Sequence, residues 1–145
     1  MNEIKMVSPC GVDCDDCAGH RCGNDPAIMD RMISLGFKKE TLPCPGCREL
    51  KGDCPVIGGH CPTYACLEKK GLRFCYECDE FPCAALAPTA DKASSAIHNI
   101  KLFNLNYIQR HGLNAWQAIK SDIKKRYFQG KLIYGKGPHL PEEMK

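Results

Sequence analysis

Three Cys-x-x-Cys pairs carry the clearest chemistry in this chain: Cys14/Cys17, Cys44/Cys47 and Cys75/Cys78. In a tight turn this spacing lets both sulfurs face one ion at about 2.3 Å. Proline and glycine permit such a turn in Cys44-Pro45-Gly46-Cys47. Cys10, Cys22, Cys54, Cys61, Cys66 and Cys83 complete a set of 12 cysteines. Three pairs and six single cysteines make three sets of four, the ligand number of a structural zinc site or an iron–sulfur cluster. The arithmetic leaves the grouping open. His20 and His60 could each replace a thiolate, although loop histidines of this kind are more often simply exposed.

The redox state of these thiols follows from their setting. The first residues hold no apolar stretch of signal-peptide length, and no run approaches the roughly 20 residues of a membrane span. We therefore expect a cytoplasmic protein, off the membrane, whose cysteines serve as thiolates rather than as a disulfide framework. Zinc is the expected metal, because the cysteines scatter from Cys10 to Cys83 instead of forming a compact ferredoxin run. A [4Fe–4S] cluster is the alternative cofactor. Cys10-x3-Cys14-x2-Cys17 has the spacing of radical S-adenosylmethionine enzymes, but the barrel that serves such a cluster is larger than this chain.

The elements that position the cysteines are poor in core residues. Between Pro9 and Ala27 the one large apolar residue is Val12; from Lys38 to Thr63 there are Leu42, Leu50, Val56 and Ile57. Such a segment buries too little to offset its ordering entropy. A structural zinc site, contributing on the order of 10 kcal/mol, would decide whether it folds. Asp25-Pro26 opens a helix carrying Ile28, Met29, Met32, Ile33 and Leu35, with Gly36 closing it. Thr63 is expected to cap a short helix ending at Gly71, Leu72 to Tyr76 to run extended, and Cys83 to start a short helix toward Leu86.

Residues 89–145 lack cysteine and read as helices. Asp91 is expected to cap the first, with Ala93, Ala96, Ile97, Ile100, Phe103, Tyr107 and Ile108 on one face and Gly112 at its end. Asn114 and Gln117 resemble a capping pair for a second, which carries Trp116, Ile119, Ile123 and Tyr127 and stops at Gly130. Gly135, Gly137, Pro138 and Pro141 suggest a loose tail. The fold class is thus mainly α with irregular metal-stapled knuckle loops: a small zinc-ribbon-like core plus a C-terminal helical hairpin. Residues 1–88 form the metal-binding region. Residues 89–145 pack on it as part of one unit, burying Ile97, Ile100, Phe103, Trp116 and Ile119.

At the cysteines the chain resembles the prokaryotic domain-of-unknown-function family 3795. The resemblance rests on Cys10-Gly11-Val12-Asp13-Cys14-Asp15-Asp16-Cys17, Cys44-Pro45-Gly46-Cys47, Cys61-x4-Cys66 with Lys69-Lys70-Gly71, and Cys75-Tyr76-Glu77-Cys78-Asp79-Glu80-Phe81-Pro82-Cys83. It continues through Asn104, Ile108, Gly112 and Trp116. It implies zinc binding and brings no reaction with it. Cys22 and Cys54 fall outside the motif, so two sites plus two spare thiols is an alternative grouping.

Charge divides the chain, from −3 over residues 1–88 to +6 over residues 89–145. The two parts are expected to complement each other. Lys120, Lys124, Lys125, Arg126, Lys131 and Lys136 would serve a nucleic-acid binder, but aromatic interleaving is limited and that role is disfavoured. Asp13, Asp15 and Asp16 are the best acid–base cluster and read more simply as solvated turn residues. No phosphate loop or His-Glu-x-x-His helix is present, and no catalytic residue is assigned. The reading is a structural zinc protein acting as an adaptor for a protein partner. An electron carrier or redox sensor with [4Fe–4S] is the alternative.

Overall fold

The computed structural model describes residues 4–144. Its helices are α1 (Ala18–Arg21), α2 (Pro26–Ser34), α3 (Pro62–Lys70), α4 (Lys101–His111) and α5 (Leu113–Gln129). Two antiparallel ribbons accompany them: β1 (Asp53–Cys54) with β2 (Gly59–His60), and β3 (Lys131–Ile133) with β4 (Gly137–His139). The fold is mainly α. No helix among the described residues is long and apolar enough to cross a membrane.

Local signals place most helix ends. The Asp25 carboxylate accepts from Ala27 N and Ile28 N, with Pro26 at the first helical position, so α2 starts as its sequence dictates. Gly71, at φ 68°, closes α3, and Gly112, at φ 86°, closes α4. Other ends differ from expectation. Cys61 rather than Thr63 precedes α3, because Pro62 takes the first turn. Residues 72–76 form no strand; Cys75–Glu77 is a 3-10 turn. Asp91 caps nothing: residues 91–95 are turns, with Lys92 at φ 51°, and α4 begins only at Lys101 after a 3-10 turn over Ile97–Ile100. Helix α5 starts at Leu113 behind Gly112, without a side-chain cap from Asn114. The tail is not loose, since β3 and β4 pair in register from Lys131 with His139 to Ile133 with Gly137.

Both halves contribute to one apolar core. Val7, Leu67, Phe74 and Leu86 meet Leu105, Ile108, Trp116 and Ile123. Ile100 is buried as expected, but Phe103 is 44% exposed, because α4 turns that side of its apolar face outward. Gly11 lets the first cysteine loop touch α4. It sits at φ +88°, and a Cβ there would lie 2.5 Å from the Lys101 carbonyl oxygen. The Asn104 amide donates to the Gly11 carbonyl at 2.7 Å, fixing the same approach. Arg48 ties a third segment in, donating to the carbonyls of Val7 and Arg73, both at 2.8 Å, with its guanidinium over the Phe74 ring.

Candidate metal centre

Eleven of the twelve cysteines line two chambers. The smaller, of about 140 Å³, is walled by Cys66, Cys75, Cys78 and Cys83, with Leu67, Phe81 and Leu86 as apolar lining. Its knuckle is organised by Glu77, whose carboxylate accepts from Arg73 N at 2.7 Å and Phe74 N at 3.2 Å. Lys70, from the last turn of α3, donates to the Cys78 sulfur at 3.1 Å. Burial pushes the Cys75 thiol up to about 12, and the charges of Cys10, Cys83 and Cys66 push the same way.

The larger chamber, of about 340 Å³, is lined by Cys10, Cys14, Cys17, Cys44, Cys47, Cys54 and Cys61, with His20, His98 and Lys101 beside them. Backbone N–H groups point at several of these sulfurs. Gly19 and His20 donate to Cys17, Gly46 to Cys44, Cys47 to Cys14, and Val56 and Ile57 to Cys54. The Ser8 hydroxyl lies 3.1 Å from the Cys10 sulfur. Burial drives the Cys14 and Cys47 thiols up to about 12. Cys44 and Cys54 interact through their side chains. The interaction holds Cys54 down to about 6 and pushes Cys44 up.

The twelfth cysteine, Cys22, is turned away from both chambers. Its buried sulfur donates to the Gly19 carbonyl at 3.2 Å. His60 lies outside both walls and pairs with Asp53 at 2.8 Å. Among the described residues, no three Cys, His, Asp or Glu side chains are already arranged to hold one ion; the sulfurs of each chamber face a space.

Residues 6–88 match the family model described as a protein of unknown function, DUF3795. The chain belongs to the DUF3795 family. In this DUF3795 protein the matched region holds every cysteine and ends before α4, so Asn104, Ile108, Gly112 and Trp116, included in the resemblance read from sequence, lie beyond the match. No curated protein and no solved structure matches the chain significantly.

The aspartates beside the first knuckle have a structural task. Lys120 of α5 reaches Asp13 at 3.0 Å and Asp15 at 2.6 Å, and Lys124 pairs with Asp16. Two lysines considered for nucleic acid thus neutralise the protein's own carboxylates. Sequence reading missed His98 and Lys101, which reach the larger chamber from beyond the matched region. Nothing local marks them, since they arrive there through the packing of the 3-10 turn before α4.

Proposed function

We propose that this DUF3795 protein holds metal on cysteine thiolates in its two chambers, with zinc as the ion. The metals act as structural staples, and the stapled fold works as an adaptor for a protein partner. The observation that carries this reading is the convergence of eleven thiols on two spaces in a region with little core of its own. The donor chemistry fits: soft sulfur ligands suit a thiophilic ion, whose charge would offset the burial that keeps Cys14, Cys47 and Cys75 protonated. Cys66, Cys75, Cys78 and Cys83 would hold the ion of the smaller chamber, and the seven thiols of the larger would hold the rest. The partner-facing surface is best sought at the β3–β4 ribbon, where Leu132, Ile133 and the 91% exposed Tyr134 lie together.

The thiol count of the larger chamber supports a second reading. Seven thiols around about 340 Å³ exceed what one ion needs, and would serve two single ions or one polynuclear group. A [4Fe–4S] cluster on four of its seven thiolates would make the protein an electron carrier or redox sensor. Elemental analysis of protein purified without oxygen separates the two. Two or three zinc per chain, without visible absorbance, supports the structural reading. Iron with acid-labile sulfide and a broad visible band supports the cluster, and metal-free protein refutes both.

A further inference from the structure

We propose that Cys17, Cys44, Cys54 and His20 form a distinct Cys3His site for a zinc-class ion within the larger chamber, and that Cys22 is not a ligand. The proposal rests on the thiolate–metal reading above and adds to it an imidazole ligand and a grouping.

Helix α1 and Cys44 are joined at two points. Cys44 N donates to the Gly19 carbonyl at 2.7 Å, and His20 Nδ1 lies 2.8 Å from the Cys44 carbonyl oxygen. A Cβ built on Gly19 would lie 3.7 Å from both the Cys17 sulfur and the Cys44 Cβ, so these two cysteines flank one glycine. The turn after Cys54 meets the same glycine, since that Cβ would lie 2.7 Å from Val56 Cγ2, and Cys54 shares the chamber wall with Cys17, His20 and Cys44. Each of the three sulfurs also receives at least one backbone N–H, from Gly19 and His20, from Gly46, and from Val56 and Ile57.

His20 supplies the fourth donor. A carbonyl oxygen only accepts, so Nδ1 carries the ring proton and Nε2 keeps its lone pair. Fixing one ring nitrogen on a carbonyl is how a metal-binding histidine is held in the right tautomer. His20 lies in the wall of the chamber, among its thiols. Cys22, only two positions on, spends its sulfur on the Gly19 carbonyl instead.

The grouping leaves coherent remainders. Cys10, Cys14, Cys47 and Cys61 are the four thiols that remain in the same chamber. Cys66, Cys75, Cys78 and Cys83 make the third. Eleven thiols and one imidazole fill three sites, where sequence arithmetic alone had used all twelve thiols.

The test uses the full chain. Zinc per chain is counted by elemental analysis, and the sites are resolved by NMR of the cadmium-substituted protein, in which a nitrogen ligand moves the metal resonance away from the all-sulfur position. Three zinc are expected in the unaltered protein, two in His20→Ala and three in Cys22→Ala. His20→Cys is expected to keep three and to bring the outlying cadmium resonance in with the other two. A His20→Ala protein that holds as much zinc as the unaltered chain overturns this site alone, as does a Cys22→Ala protein that loses one. An unaltered protein without metal overturns the thiolate–metal reading itself.

Discussion

Lys120 of α5 and Asp13 of the first cysteine loop lie 3.0 Å apart although 107 positions separate them in the chain. Both side chains are largely buried, and Asp15 holds the same ammonium from its other side. The contact fastens the C-terminal hairpin to the loop that carries Cys14 and Cys17. The basic half of the chain and its acidic half therefore meet at defined residues.

Lys120→Met should lower unfolding free energy by about 2 kcal/mol, the scale of hydrogen bonds to charged groups, because Asp13 is left desolvated without its partner. Denaturant melts of the metal-loaded protein check this. An unchanged midpoint would show that the pair contributes nothing net.

The same pair predicts a pH dependence. Burial opposes the Lys120 charge, but the hydrogen bonds and charges of Asp15 and Asp13 outweigh it, so its pKa lies above the ordinary 10.5. A group whose folded pKa is raised stabilises fully below its unfolded value and loses that contribution as pH rises through the folded one. The stability difference between the unaltered chain and Lys120→Met should be constant through neutral pH and, on the alkaline side, shrink above 10.5. A difference that vanishes near neutrality would contradict the assignment.

Ile100→Asp should unfold the α4–α5 hairpin. Ile100 is 3% exposed at the entry to α4, and a carboxylate there has no room for water. Circular dichroism should show lost helix. Unchanged helicity and melting would sink the packing described for this turn.

Cys75→Ser combined with Cys78→Ser removes two of the four thiols of the smaller chamber. Metal content should fall by the ion held there, read by elemental analysis. Full metal content in the double variant would refute the assignment of this pair.

The parts of the fold legible in sequence are those set by neighbours along the chain. Asp25 and Pro26 begin α2 because cap and first turn are local, and Gly71 and Gly112 end helices because each supplies a left-handed residue where the chain must leave the axis. The helix expected from Asp91 failed because its first turns offered only Ala93 and Ala96 to a core, too little burial to outweigh the turns that form there. Phe103 kept helical spacing but lies on a side of α4 that leaves it 44% exposed. The β3–β4 ribbon was missed because Gly135 and Gly137, read as looseness, instead lie in the reversal and at the first position of β4. At the candidate site the residue types were visible and the grouping was not. Cys22 and Cys54 both stand outside the family motif, and only the structure separates them: the Cys22 sulfur is on the Gly19 carbonyl, whereas Cys54 lines the larger chamber.

The two chambers are separated by one thickness of chain. Cys75 N, in the smaller chamber's knuckle, donates to the Pro9 carbonyl at 3.0 Å, and the next residue, Cys10, faces the larger chamber. With ions in both chambers as proposed, emptying either side would loosen the partition that the other side needs. A chelator that removed the first ion would then lower the hold on the next, and a chelation titration would bend into one steep step with few half-loaded molecules along it.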